Sequence, residues 1–564
     1  MKQRSAQRRR RALAAAALLA LAAVGCGGAR PDGPPVPDYP GHLAYVGADA
    51  EVVLTVNNLA ERGRAVIQSK AYARFQDFAN RVLGEDEARL QELAANPSDA
   101  LDEFEELFAG RLTFVSYPAP EGGDPNGDDL FVVLTDGDPK VLVEALESDE
   151  EGQEAGTFEE VGGGVLRYAF ADDEEPVFTL QHGGVGLVGS NPELLKRVAQ
   201  VAQGLGGTTR LADQAPFKAL RGELRQDADV FFWVRDWTSE QDDWDALLAG
   251  APPSGRVEKA AAGTLMLDEG VDVEFLVEFG ESDFEDPNTR AFFAAMRQTG
   301  QSSAIARMLP AGTVGYLGLN LNMVQMLDQL DLDTQGTPLQ AELVRSLLKQ
   351  VAASFSGEFG VAVTSLPQDQ TPSPLLGYPV PGLVVIGKLA DAGREEGVRR
   401  LLEAWLRSQS ADAGGEFLGQ RREETIAGEQ AVLYATIDPT IDIGYVFHDG
   451  HLLLGTRQGL TDMLTASETG PAALELKSSA ALITESLKTP SHYALYLDLA
   501  SLYGFLRPPQ GGASPFSAML GPAGGPNGDP LGDLFQVFQH AGGNLSFTGE
   551  RIYIRLYITA TDLP

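Results

Sequence analysis

Few residues in this chain are placed to hold a metal ion. None of its six histidines falls at the spacing of a zinc-binding helix, and only His448 and His451 lie near enough in sequence to share an ion. The aspartate-rich run 124–129 offers oxygens at alternate positions, as a calcium loop does. However, it has Asp129 where such a loop needs glycine and Thr135 where it needs glutamate. A turn is favoured over a calcium site, and we predict neither a metal nor a cofactor.

A glycine pattern raises the possibility of a nucleotide site. Residues Gly184–Gly189 spell GxGxxG ahead of a helical pattern, the spacing with which a strand-to-helix turn approaches a pyrophosphate. The related run Gly450–Gly455 lacks the middle glycine, and a histidine stands two residues before each run. We interpret both runs as hairpin turns that lead into strands, with His182 and His448 at the turns.

Catalytic motifs are incomplete. Ser346 and Lys349 fit the Ser-x-x-Lys of penicillin-recognising enzymes, and Lys488-Thr489-Pro490 comes near their Lys-Thr-Gly, but no Ser-Asp-Asn lies between them. The chain also has no Gly-x-Ser-x-Gly, so the nucleophile elbow of many hydrolases is excluded. We therefore predict no catalytic residue.

Length and charge set the class of protein. A chain of 564 residues is long enough for two to four domains, each with its own core. Beyond its first 25 residues it carries 37 basic against 80 acidic side chains. Such a surface repels phosphate backbones and anionic lipid headgroups, so we predict no nucleic-acid partner.

The position of the single cysteine indicates its role. A basic segment is followed by the apolar run Ala12–Val24 and then by Cys26. This resembles the bacterial lipoprotein signal, whose cysteine is diacylated and becomes the new N-terminus. The resemblance implies a signal peptide over residues 1–25, a lipidated and proline-rich tether over 26–41, and the membrane as a partner through the lipid. Gly27 follows the cysteine in place of an inner-membrane retention aspartate, which favours the outer membrane within the cell envelope.

One pattern occurs twice in the rest of the chain. Residues 177–198 and 443–464 align without gaps, and each contains two apolar runs around a tight turn and then a helical pattern. Hairpin turns between several strands favour an α+β fold of mainly antiparallel sheets packed with helices. We predict two tandem copies of one domain, at 42–282 and 303–564, joined by a linker over 283–302.

Some local features are predicted as well. Alternation in the run Phe231-Phe232-Trp233 places Phe231 and Trp233 on the buried face of a strand. Asp236 and Asp498 stand at strand ends, where an aspartate often caps the element that follows. The glycine- and proline-rich segment 507–530 is an insertion of the second copy, and we expect it to pack on its own domain.

The chain resembles a family of bacterial envelope proteins known only as a domain of unknown function. The resemblance lies in the order of the repeats, in the segment Leu309–Leu317 that opens the second repeat, and in the hairpin Gly450–Thr456. The resemblance implies a two-repeat envelope protein and supplies no catalytic residues.

Three functional hypotheses follow. The first is a non-enzymatic, lipid-anchored envelope protein that binds a partner or serves as a scaffold. The second is a carrier that holds an apolar ligand or lipid between curved sheets. The third is an enzyme whose site matches no known motif.

Overall fold

Antiparallel strands joined by tight hairpins dominate the computed structural model of this chain. Contacts divide it into two units, residues 1–280 with 562–564 and residues 281–561. The structure describes residues 40–57, 110–118, 130–147, 156–169, 176–205, 207, 209–235, 260–267, 270–278, 304–329, 345–346, 348–366, 373–374, 379–412, 418–468, 474, 483, 486–487, 489–506, 538–548 and 551–560.

The described residues of the first unit form ten strands in one antiparallel order. From one side to the other the order is β4–β5–β6–β7–β3–β2–β1–β8–β9–β10. The strands are β1 (Val52–Asn57), β2 (Arg111–Tyr117), β3 (Leu130–Thr135), β4 (Thr157–Gly162), β5 (Val165–Ala169), β6 (Val177–His182), β7 (Val185–Gly189), β8 (Val230–Val234), β9 (Ala260–Leu267) and β10 (Gly270–Glu278). Its helices are α1 (Pro40–Leu43), α2 (Pro139–Glu147), α3 (Pro192–Gln203) and α4 (Ala215–Glu223).

Buried and less buried side chains alternate along the strands and define the two faces of this sheet. Successive side chains of a strand point to opposite faces, so every second residue of β8 is buried. Phe231 and Trp233 are 0% and 4% exposed, and the ring of Phe217 in α4 packs edge-on against both. The predicted core position of the two residues is confirmed.

The predicted hairpin and helix are both present. Gly183 and Gly184 form the turn between β6 and β7 with φ of +57° and +85°, a backbone conformation that glycine adopts without strain. Asn191 then caps α3, since its Oδ1 accepts hydrogen bonds from the N–H groups of Glu193 and Leu194. The helix ends in a left-handed residue at Gly204.

Helices pack near one end of the strand order. The buried residues of α3 lie against β6, β7 and β3. Residues of α2, Leu142 and Val143, join Tyr168 and Val188 in a separate buried cluster. The fold of the unit is therefore α+β, with helices packed on an antiparallel sheet.

Ten antiparallel strands also form within the described part of the second unit. Their order is β14–β15–β16–β17–β13–β12–β11–β18–β19–β20. The strands are β11 (Gly315–Asn320), β12 (Phe355–Ser365), β13 (Gly382–Leu389), β14 (Leu418–Ile426), β15 (Glu429–Thr436), β16 (Asp442–His448), β17 (His451–Thr456), β18 (Tyr493–Asp498), β19 (Phe538–Thr548) and β20 (Arg551–Ala560). Its helices are α5 (Met323–Gln329), α6 (Glu395–Asp412), α7 (Arg457–Glu468) and α8 (Leu499–Leu506).

Two buried clusters lie on opposite faces of this sheet. The larger contains Val384 and Ile386 of β13 with Leu460 and Met463 of α7, and it defines the inner face. The smaller contains Leu389 of β13, at the alternate positions of the strand, with residues of α6. We call the face that carries this smaller cluster the outer face.

Local chemistry fixes where two elements begin. β2 begins at Arg111 directly after Gly110, whose φ is +105°. Asp498 caps α8 as predicted, because its Oδ1 accepts the N–H of Ser501 at 2.9 Å. Asp236, the proposed linker 283–302 and the insertion 507–530 lie outside the described residues.

Candidate functional site

The GxGxxG pattern belongs to packing within the first unit. Gly184 lies in the hairpin turn, whereas Gly186 and Gly189 lie in β7. A Cβ at Gly186 would stand 2.8 Å from the carbonyl oxygen of Gly137, because the turn between β3 and α2 packs directly on the β7 backbone. The helix begins only at Pro192, beyond the strand. The hairpin interpretation is therefore confirmed, and the pattern does not form a strand-to-helix phosphate turn.

Both turn histidines have protein partners. His182 ends β6, its Nε2 accepts from the side-chain amide of Gln203 at 2.6 Å, and its carbonyl accepts from the Tyr45 hydroxyl at 2.9 Å. His448 ends β16, and its Nδ1 lies 2.9 Å from Oε1 of Glu429. The two side chains therefore fix their hairpins to neighbouring elements.

Three ionisable side chains meet at one end of the second unit's core. His451 lies opposite Lys388 in the β13–β17 pair, and Lys388 Nζ is 3.4 Å from Oε2 of the buried Glu358. The other Glu358 oxygen accepts the N–H of Ile305 at 2.9 Å. Burial lowers the pKa of His451, so its imidazole is neutral and its Nδ1–H donates to the carbonyl of Asp449 at 2.9 Å. The cluster is an internal polar contact.

The first unit holds a hydroxyl, an imidazole and a carboxylate in hydrogen-bonded order. His42 Nδ1 is 3.0 Å from Thr113 Oγ1, and its Nε2 is 3.1 Å from Asp136 Oδ1. Nucleophilic catalysis uses such an order, provided that the hydroxyl can reach a substrate. Here Thr113 is 0% exposed and its hydroxyl also bonds Thr55 at 3.1 Å. The buried groups instead orient the half-exposed carboxylate of Asp136.

That carboxylate borders a cleft of about 450 Å³. Burial raises the pKa of Asp136, but the hydrogen bond with His42 and the backbone N–H and charge of Arg111 together outweigh burial, so the pKa is lowered and the group is ionised. Asp138 adds a second carboxylate and Lys140 an ammonium group. The volume falls in the range of small-molecule sites. The cleft is lined by Asp136, Gly137, Asp138, Pro139, Lys140, Gly164, Leu166, Thr179 and Gln181.

Other sequence candidates are separated or fall outside the described residues. Ser346 lies on the exposed side of a helical segment, and Lys488, its proposed partner motif, is not among the described residues. Neither are the aspartate-rich run 124–129 and Cys26, so lipidation of Cys26 stays a prediction.

The most unusual surface lies on the outer face of the second unit. Leu317 of β11, Val361 of β12 and Val385 of β13 stand opposite one another in three adjacent strands, with Leu383 two residues from Val385. All four side chains are between 39% and 43% exposed. An antiparallel sheet with one solvated face normally carries polar side chains there. We call these four residues the aliphatic face.

Neighbouring structure limits this surface on one side. Further along β13, Leu389 belongs to the buried cluster that also contains Val398 and Leu406 of α6, so the outer face is covered there. Leu383 and Val385 lie beyond this cover. The aliphatic face is thus the exposed continuation of a buried cluster.

The corresponding row in the first unit is more buried. Leu54 stands opposite both Phe114 and Phe232, and Phe114 stands opposite Val133. All four are intermediate in exposure. Both sheets are therefore apolar on two faces, but the large exposed positions occur in the second unit's row.

The sequence carries a signal for this surface that single-strand alternation does not use. Leu383-Val384-Val385-Ile386 is a continuous apolar run, which is typical of a strand covered on both faces. Such a run predicts the strand and does not show that one of its faces is exposed.

In the part of the chain that the structure describes, no helix combines the length and apolarity needed to cross a bilayer. Nor does any set of three potential metal ligands come together there.

The fold and site define a mostly antiparallel α+β protein with an exposed aliphatic sheet face. No protein-family model matches the chain, and no curated protein matches it. Among solved structures, crystal form III of TP0453 is 10% identical, covers 46% of this chain and 89% of that chain, and has a TM-score of 0.25. Crystal form I of TP0453 is 11% identical, with coverage of 42% and 79% and a TM-score of 0.23. TM-scores this low do not establish a common fold.

Proposed function

We propose that this chain is a non-enzymatic binding protein of the cell envelope, anchored through a lipid on Cys26, and that it binds through the aliphatic face. The exposure of Leu317, Val361, Leu383 and Val385 in one patch carries the proposal. At about two fifths exposure each, the four side chains present on the order of 300 Å² of apolar surface, a size that is often functional in a monomer.

The energy available at this surface supports binding. Covering on the order of 300 Å² at about 25 cal/mol per Å² contributes roughly 7 kcal/mol before the cost of association. Leaving the patch in water forgoes that energy. An occupant that covers the face therefore gains a substantial part of the free energy of a specific complex.

We also propose that the two units are copies of one domain. The strand order of the first unit becomes that of the second when β1–β10 are replaced in turn by β11–β20. In each unit one helix follows the third strand and another follows the seventh: α2 and α3 in the first unit, α6 and α7 in the second. In this proposal the copies have diverged at the outer face, and the second copy has taken on the binding role.

The anchor and the binding surface need separate tests. For the anchor, cells are grown with an alkyne-bearing palmitate: the wild-type chain should acquire the label and fractionate with membranes, and Cys26→Ser should lose both. A Cys26→Ser protein that keeps its label would contradict the anchor.

For the surface, a photo-crosslinking amino acid is placed at Val385, and in a control at Val161, which is 42% exposed on β4 of the first unit. Irradiation of living cells should give a discrete adduct at Val385 and none at Val161. Absence of an adduct at both positions would remove the binding function. Turnover of an envelope substrate that is abolished by Asp136→Asn would also contradict the proposal, since the protein would then be an enzyme.

A further inference from the structure

The aliphatic face offers an occupant no hydrogen bonds. β11, β12 and β13 each have a paired strand on both sides, so their backbone N–H and C=O groups are engaged in the sheet. The four exposed side chains are leucine and valine and carry no polar atom. A peptide cannot add to these strands as it would to a free sheet edge, and binding must use apolar contact alone.

The lack of hydrogen-bonding groups on the aliphatic face favours a hydrocarbon chain over a protein surface as its ligand. A protein surface brings amide and hydroxyl groups, and those that meet leucine and valine lose water without gaining a partner, which is costly. Protein interfaces usually include a hydrogen bond for every 100–200 Å² or so. A hydrocarbon chain has no such groups and loses nothing when it leaves water.

The area of the aliphatic face also favours a small apolar ligand over a protein partner. A stable protein interface covers about 800 Å² on each partner, whereas the four side chains present on the order of 300 Å². A second copy of this chain, docked through the same face, would fall short by more than half. The face is large enough for a single slender apolar molecule.

We infer that the aliphatic face binds the acyl chain of an individual lipid or fatty acid, an inference that rests on the binding role proposed for this face. The polar headgroup would remain in water beyond the four residues. Docking on a whole bilayer is disfavoured, because the excess of acidic residues in the chain is repelled by anionic lipid surfaces. The buried cluster around Leu389 limits the face on one side.

The test uses the full chain in phosphatidylcholine nanodiscs and a palmitic acid that carries a photoactivatable diazirine. Irradiation over a range of probe concentrations gives the half-saturating concentration, and peptide mapping gives the site. The test variant is the double substitution Val361→Thr and Val385→Thr, which keeps side-chain shape and strand preference while adding two hydroxyl groups. The matched control is Val161→Thr, an equally exposed valine in a strand of the first unit.

We expect adducts in β11, β12 and β13, and a half-saturating concentration at least about tenfold higher in the double variant, because buried hydroxyl groups without partners weaken binding. Val161→Thr should leave it unchanged. Equal labelling of the double variant, or adducts that map elsewhere, would overturn the inference. Failure to label with palmitate, together with a protein adduct at Val385 in cells, would reject the acyl chain and keep the binding function. If palmitate does not label the protein and no adduct forms at Val385 in cells, both the acyl-chain inference and the proposed binding function are rejected.

Discussion

Replacing Gly186 by alanine should destabilise the first unit, because the turn between β3 and α2 leaves no room for a methyl group. The new Cβ would stand 2.8 Å from Gly137 O, Pro139 Cδ and Thr135 Cγ2. Carbon contacts are favourable only near 3.5–4.0 Å, so at least one neighbour must move by roughly 0.7 Å. Overpacking of this kind costs about 1–3 kcal/mol.

A second effect acts in the opposite direction. Alanine restricts the unfolded chain more than glycine does, which returns about 0.4–1 kcal/mol at a position without positive φ. The net loss of unfolding free energy should be about 1–2 kcal/mol. Hydrogen exchange measured by mass spectrometry on peptides from β7 and α2 reports the opening free energy of this region directly.

The same substitution at Gly222 is the control. Gly222 lies in α4, and no atom outside its own helix backbone and chain neighbours would stand within 4 Å of its new Cβ. Gly222→Ala should therefore stabilise the helix by up to about 1 kcal/mol. If Gly186→Ala were neutral or stabilising like Gly222→Ala, the close packing of the turn on β7 would be wrong.

Two other predictions concern the first unit. Asn191→Ala should cost about 1 kcal/mol and speed hydrogen exchange at the start of α3, since the N–H groups of Glu193 and Leu194 lose their acceptor, whereas Asn191→Ser should restore most of the protection. For Asp136, the hydrogen bond to His42 lowers the pKa of the carboxyl. Its stabilisation is therefore present above the unfolded-state pKa, about 4, and is lost as the pH falls through the lower folded-state pKa. Urea midpoints at about pH 6 and pH 3 should show this loss in the wild type and a smaller one in Asp136→Asn; an equal loss in both would contradict the role of this carboxylate.

Local sequence signals predicted the features that depend on local physics. The turn at Gly183 and Gly184, the helix that follows it, and the burial of Phe231 and Trp233 all depend on residues close in sequence. A glycine pair sets a hairpin turn and alternation sets strand faces, so both could be predicted without the fold.

Contacts between distant residues could not be predicted in this way. His42 meets Thr113 and Asp136 across 71 and 94 residues, and only the pairing of β1, β2 and β3 brings their surroundings together. The exposure of Val385 has the same origin, because it depends on which residues of distant elements join the buried cluster around Leu389. The sequence of a strand shows that both of its faces are apolar, but it does not show which face is exposed to solvent.

The most direct measurement is the reactivity of a cysteine placed at Val385. The chain has one natural cysteine, Cys26, whose predicted lipidation leaves an introduced cysteine as the single free thiol. Maleimide labelling rates are compared in intact envelopes and in purified protein for Val385→Cys and for the control Val161→Cys. We predict that the cysteine at 385 is protected in envelopes, where the aliphatic face is occupied, and reactive after purification, while the cysteine at 161 reacts in both. Equal rates at 385 in the two preparations would show that nothing covers the face, and would contradict the proposed binding function.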